Sequence, residues 1–269
     1  MKRIIVATDF SAEAENATLY AINIAKKQGY ELIIFSLYNL SIHALNARAS
    51  TITMQDLLAI KRGRLEALMA NLNKTHHIQT IPHFATGDFY EEINRCIEIY
   101  DADLLVMGMA KKSFEQDLLG NTTTSAIHKL KIPILSIPLE VKYQGIKHIL
   151  FACDTANGMP NKALEGIMSF ASTCGATVEI FNVMEKADAI KEKADLYDFD
   201  TITKDVIYYY RNIESTEVIK AIKQEVLDTS TDLLVMVPQK HGFWDSLMHR
   251  SKTRAMASGN NIPLLSIPM

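Results

Sequence analysis

The chain contains itself twice, and that constrains everything it can fold into. Lys2–Asp9 (KRIIVATD) returns as Lys147–Asp154 (KHILFACD), Ala102–Met107 (ADLLVM) as Thr231–Met236 (TDLLVM), and Ile132–Pro138 (IPILSIP) as Ile262–Pro268 (IPLLSIP). The first pair is offset by 145 residues (147 less 2), the second by 129 (231 less 102) and the third by 130 (262 less 132). Three matches in one order mark a duplication, two homologous copies of unequal length. The boundaries read as 1–140 and 146–269, joined through the polar, glycine-bearing stretch Leu139–Gly145. A length of 269 residues suits two moderate domains. The fall in offset from 145 to 129 places a loss of about sixteen residues early in the second copy, where Glu185–Asp200 (EKADAIKEKADLYDFD) reads as a short, charged, solvated segment.

Within the first copy, short apolar runs alternate with helical patterns. Arg3–Ala7 is rich in β-branched residues and reads as a buried strand. Ser11 can cap the helix that follows, in which Ala14, Ala17, Ala21 and Ala25 form a small-residue stripe suited to close packing on a sheet, and Gly29 ends it. Glu31–Leu37 is a second strand, Ser41–Ser50 a loop, and Met54–Leu72 an amphipathic helix with Leu57, Leu58, Leu65, Leu68, Met69 and Leu72 on its apolar side. His77–Phe84 is a third strand with Pro82 near its end, and Gly87-Asp88 turns into a helix through Tyr100. Leu104–Met107 and Ile132–Ile137 are strands brief and apolar enough to be covered on both faces. The second copy repeats the order with strands at Ile149–Cys153, Thr177–Val183, Ile207–Arg211, Leu233–Val237 and Leu264–Ile267. Strict alternation ending on a strand describes a doubly wound parallel sheet in each copy.

The composition excludes several classes. Net charge is −3, so no basic surface argues for nucleic acid. No run approaches a membrane span, and MKRIIVATDFS reaches Asp9 too soon for a signal peptide. Cys96, Cys153 and Cys174 make neither a disulfide framework nor a CxxC pair, which suits a reducing cytoplasm. No Walker loop, GxGxxG or GxSxG is present, and no nucleophile, base and orienter can be assembled.

In an open parallel sheet, ligands sit beyond the carboxyl ends of the strands where strand order reverses. The first strand delivers Asp9 there, either to accept from a base amino group or ribose hydroxyl, or to form the next turn. The fourth delivers Gly108, either for close approach to a phosphate or for a tight turn. Gly120 precedes Asn121, Thr122, Thr123 and Thr124 at the start of a helix, an anion site or an ordinary N-cap.

The duplicated layout, with IIVATDFS at Ile4–Ser11, Gly87-Asp88, ADLLVMG at Ala102–Gly108, the Gly120-Asn121-Thr122 loop and the IPILSIP strand, resembles the universal stress protein family in its tandem form. The resemblance spans essentially the whole chain. It implies two five-stranded domains of the adenine nucleotide alpha hydrolase-like fold, paired through their last strands as an intramolecular pseudo-dimer that can assemble into homodimers. ATP-binding members carry a strand-end acid and a Gly-x-x-Gly loop, then nine residues and Gly-Ser or Gly-Thr. Asp9 matches the acid that meets adenosine, Met107 and Gly108 the start of the loop, and Gly120 its last glycine. Asn121 replaces the usual hydroxyl residue, with Thr122 and Thr123 beside it. The sequence departs from the pattern at Lys111, which replaces the second glycine, and in a spacer one residue short. Lys111 and Lys112 either meet phosphate or are solvated. The resemblance implies ATP or AMP as ligand, with magnesium accompanying ATP, weak ATP hydrolysis at most, protein partners, and a cytoplasmic stress-response role.

The second copy departs further. Val237 and Pro238 stand where the loop motif would begin, although Asp154 keeps the strand-end acid, and Arg250, Ser251 and Thr253 in Met248–Arg254 offer anion contacts. This copy reads as structural, or as recognising something other than ATP. The remaining chemistry-bearing residues read as packing or surface. His76 and His77 would point to opposite faces of a strand start, His241–Trp244 would pack a loop, and Cys96 and Cys153 would be buried.

Overall fold

The structure is a computed structural model that describes residues 2–38, 51–109, 122–153, 161–184, 206–215, 217–237 and 262–268. The described residues fall into two compact units, one drawn from Met1–Ala110 and Asn121–Tyr143, the other running from Gln144 to Met269.

In the first unit, β1 (Arg3–Ala7), β2 (Glu31–Tyr38), β3 (Thr80–Thr86), β4 (Leu104–Met109) and β5 (Ile134–Pro138) make a parallel sheet in the order β3-β2-β1-β4-β5. Its helices are α1 (Ala12–Gln28), α2 (Thr51–His76), α3 (Phe89–Tyr100) and α4 (Thr122–Lys129). The core is the middle of the strands: Ile4, Ile5, Val6, Leu32, Ile33, Ile34, Leu105, Val106 and Leu135 are all buried. Helix α1 forms where the pattern places it. The Ser11 hydroxyl accepts from the Ala14 N–H at 3.2 Å, and Gly29 ends the helix at φ 68°, a left-handed turn that costs glycine little. Ala14, Ala17, Ala21 and Ala25 are all buried, so the helix backbone can lie against the sheet.

In the second unit, β6 (His148–Cys153), β7 (Thr177–Met184), β8 (Tyr208–Glu214), β9 (Leu233–Met236) and β10 (Leu264–Ser266) repeat the sheet in the order β8-β7-β6-β9-β10. Helices α5 (Asn161–Cys174) and α6 (Val218–Asp228) pack on it. An aspartate anchors corresponding places in both units. Asp103 Oδ2 accepts from the Arg3 N–H at 2.9 Å, and Asp232 Oδ2 accepts from the N–H groups of Lys147 and His148 at 2.7 and 3.0 Å.

Three details differ from the sequence reading. The third strand begins at Thr80 rather than His77. His76 closes α2, and His77 follows at φ 50°, so the two histidines lie in a helix end and a turn and not on opposite faces of a strand. Pro82 sits inside β3 rather than at its end, and this is tolerated because β3 has a sheet partner on one side only within its unit. Leu57 is exposed, whereas Leu65, Met69 and Leu72 are buried, so only the later turns of α2 cover the sheet. Ser41–Ser50 and Glu185–Asp200 lie outside the described residues.

Candidate functional site

Strand order in the first unit reverses between β1 and β4, and a cavity of about 400 Å³ opens at their carboxyl ends. That volume lies within the range of small-molecule pockets. Its apolar walls are Ala7, Phe35, Leu37, Phe89 and Met107; its polar groups come from Thr8, Asp9, Ser11, Glu13, Thr122 and Thr123.

The turn after β1 sets the site's geometry. The Thr8 N–H continues the strand pairing by donating to the Phe35 carbonyl at 2.8 Å. The Thr8 hydroxyl then accepts from the Phe10 N–H at 3.0 Å, and Asp9 Oδ1 accepts from the Ser11 N–H at 2.9 Å. These short bonds hold Phe10 at φ 64°, a conformation that bulky residues rarely adopt. The Arg64 guanidinium lies 4.3 Å from the centre of the Phe10 ring. The turn thereby aims the first turn of α1 into the cavity. Asp9 performs the turn-forming role with one carboxylate oxygen and also lines the cavity.

Gly108 lines the cavity too, but from inside β4, not from a loop after it. A Cβ at this position would stand 2.5 Å from the Glu13 carbonyl carbon, 2.6 Å from its oxygen and 2.7 Å from the Ala14 nitrogen. The glycine is therefore required by the approach of the α1 backbone to the strand, a role different from the phosphate approach or tight turn expected from the sequence. The Gly108 carbonyl accepts from the Thr123 hydroxyl at 3.2 Å, which fixes the start of α4 against the tip of β4. Thr122, beside it, is exposed.

The aromatic wall was not legible as part of a site. Asp88 caps α3 by accepting from the N–H groups of Tyr90 and Glu91 at 2.8 and 3.1 Å, which puts Phe89 at the first helical position. Phe89 meets Phe35 edge-on at 6.1 Å, and Phe35 stacks on His83 at 5.6 Å. His83 in turn meets Tyr100 at 5.6 Å, and its burial pushes its pKa below the usual imidazole value. Phe35 and Leu37 were read only as strand residues and Phe89 only as helix. The Gly87-Asp88 turn was the one signal that could have placed Phe89 at the cavity.

Of the residues proposed from sequence, Asp9, Met107, Gly108 and Thr123 line one cavity, and Thr122 joins them. Lys111, Gly120 and Asn121 lie outside the described residues, as do Asp154, Arg250, Ser251, Thr253 and His241–Trp244 of the second copy. Cys96 and Cys153 are buried, and burial pushes the Cys96 thiol up to about 12, which removes it as a nucleophile.

Chemically, the cavity offers an apolar wall, two helix starts, and the acids Asp9 and Glu13 as acceptors. Among the described lining residues none carries a positive charge, and none is a histidine, cysteine or lysine. Among the described residues no group of three histidine, cysteine or acidic side chains could hold a metal, and no helix is long and apolar enough to cross a membrane.

The universal stress protein family model matches residues 1–138. A universal stress protein A homolog from Haemophilus influenzae is 26% identical over 149 residues, covering 51% of this chain and 96% of that protein. Among solved structures, a universal stress protein from Archaeoglobus fulgidus superposes with a TM-score of 0.77 over 99% of this chain and 98% of its own, at 18% identity. That likeness extends the fold to both units, each a doubly wound parallel α/β sheet. With the family model spanning the first copy and the fold shared along the whole length, this chain belongs to the universal stress protein family.

Proposed function

We propose that the first unit binds an adenine nucleotide, ATP or AMP, and that the protein serves a stress response through ligand-dependent contacts rather than through turnover. The observation that carries this reading is the cavity at the β1–β4 reversal, with Phe35 and Phe89 as an apolar wall and the starts of α1 and α4 beside it. The walls suit a purine ring, the Asp9 and Glu13 carboxylates suit amino or hydroxyl donors, and the helix starts suit phosphate. Magnesium would enter with ATP. The second unit acts as a structural copy in this reading, and partner proteins or a second copy of the chain receive the signal.

Titration calorimetry of the full chain with ATP, AMP and cyclic AMP tests the reading. Saturable heat with at least one nucleotide, weakened at least tenfold by Phe89→Ala, is the expected outcome. Silence with all three at protein concentrations well above a micromolar affinity would leave the cavity without its ligand. The absence of any cation among the described lining residues favours a second reading, in which the protein is a scaffold that has lost nucleotide binding and works through protein contacts alone.

A further inference from the structure

The two units carry different chemistry at equivalent positions, and one serves as the control for the other. In the first unit Ile5 pairs with Ile33, Ile33 with Ile81, and Phe35 with His83. In the second, Leu150 pairs with Glu179, Glu179 with Tyr209, and Phe181 with Arg211. The offset that relates Asp103 to Asp232 relates Cys96 on α3 to Glu225 on α6. Ile33 on β2 and Cys96 on α3 are fully buried. Their counterparts, Glu179 on β7 and Glu225 on α6, are 0% and 4% exposed. The second unit has thus replaced two apolar core groups with two buried carboxyls.

The surroundings of Glu179 are complete enough to count charges. On β8, the Tyr209 hydroxyl donates to Glu179 Oε2 at 3.1 Å, and Arg211 forms an ion pair with Glu225 on α6 at 2.5 Å. On β6, His148 Nε2 lies 2.9 Å from the Tyr209 oxygen and 3.6 Å from Glu179 Oε2. The Tyr209 hydroxyl thus bridges Glu179 Oε2 and His148 Nε2, while the Thr229 backbone beside His148 favours its charged form and His148 Nδ1 meets no partner at standard distance. Asp232, just before β9, and Glu225 are the acids whose charges act on His148. Glu179 Oε1 is also buried without a hydrogen-bond partner at standard distance, with Glu225 alongside. One guanidinium therefore faces two carboxyls, and it is bonded to only one of them.

We propose that the second unit contains a proton-operated latch, in which a proton held on Glu179 beside Glu225 keeps α6 seated on β7 and β8, and loss of that proton loosens this edge of the unit. Removing the proton puts a second buried negative charge next to Glu225 with no second cation to meet it. Burial and Glu225 push the Glu179 carboxyl from its ordinary 4.5 up to about 7, so the latch releases near neutrality. An acid whose folded value is raised contributes stability that is complete below 4.5 and lost as pH rises through about 7. Burial lowers the His148 pKa and so acts with the opposite sign below 6.5, which makes a comparison with a Glu179 variant necessary. The latch lies in the second unit and does not depend on any ligand in the first.

The experiment is hydrogen exchange of the full chain, wild type and Glu179→Gln, from pH 6 to pH 8, with rates corrected for intrinsic pH dependence. In wild type, protection of β7 and α6 should fall on the order of tenfold more than in Glu179→Gln, which carries a neutral amide at every pH. Peptides of β1 and β2 should not separate the two proteins. Equal pH dependence in both proteins would overturn the latch. Carbon-13 NMR titration of the Glu179 carboxyl in wild type provides a reading that does not require the variant to fold. A midpoint near neutrality supports the latch, and a carboxyl already ionised at pH 6 removes it.

Discussion

At the scale of single residues, Gly108 shows how a site and a packing constraint can occupy one atom. Its Cα borders the cavity on one side and the α1 backbone on the other, and there is no room for a methyl group toward Glu13. Gly108→Ala should cost about 1–3 kcal/mol, the usual penalty for overpacking, and should displace the first turn of α1 from the cavity. A urea titration gives the stability, and exchange rates at Ser11–Glu15 show the displacement. Ile33→Ala, by contrast, should cost about 2–5 kcal/mol by leaving a void, with no particular effect on α1. The contrast separates a position where nothing larger than hydrogen fits from one where everything smaller than isoleucine leaves a gap.

At the scale of elements, caps decide where cavity residues stand. Asp88 holds the start of α3 with two hydrogen bonds, and Phe89 follows directly. Asp88→Ala should cost about 1 kcal/mol and, if the first unit binds nucleotide as proposed, should weaken that affinity by loosening Phe89, both measurable on the full chain. The alternation of strands and helices was legible because buried parallel strands are short apolar runs, such as Leu104–Met107, and because Ser11 and Gly29 punctuate α1. The site was legible in part. Asp9, Gly108 and Thr123 fall at strand tips and a helix start, and those places follow from topology. Phe35 and Phe89 did not show, because an aromatic inside a buried strand or at a helix start looks the same whether it faces core or cavity. The real reason for Gly108 was hidden too, since the distance between a helix and a strand is a tertiary quantity. The start of β3 was misplaced because His77 takes a left-handed turn that no local pattern announces.

At the scale of the whole molecule, two units of one architecture are expected to respond to pH in two ways. In the first unit, His83 sits against Phe35 and Tyr100, and burial holds its pKa below the ordinary 6.5. A histidine that resists protonation when folded takes up protons more readily when unfolded, so this contribution to stability is lost as pH falls below 6.5. Exchange protection of β3 should drop between pH 6.5 and pH 5, and His83→Phe should flatten that drop. The second unit has Arg211 at the position of His83 and Glu179 at the position of Ile33, and the Glu179 carboxyl gives a contribution that grows on acidification. Unit-resolved exchange across one pH series should therefore show two profiles of different shape from one polypeptide. Identical profiles would mean that neither substitution governs its unit.

The contact between α1 and β4 has a mechanical corollary. Asn16, one turn beyond the cavity, is buried, and its amide donates to the carbonyls of Pro138 and Val141 at 2.8 Å each, while its oxygen accepts from Lys142 at 2.7 Å. Tyr20, one further turn along, meets Tyr143 edge-on at 5.0 Å. The rod whose tip borders the cavity thus also grips the strap by which the chain leaves this unit. Held against Gly108 near its tip, it joins the cavity to Pro138–Tyr143, and an occupant that displaces Ser11 or Glu13 is expected to move that segment too. Asn16→Ala should cut that linkage at a cost of about 1–3 kcal/mol, and any change in exchange at Val141–Tyr143 on adding the proposed nucleotide should then be lost.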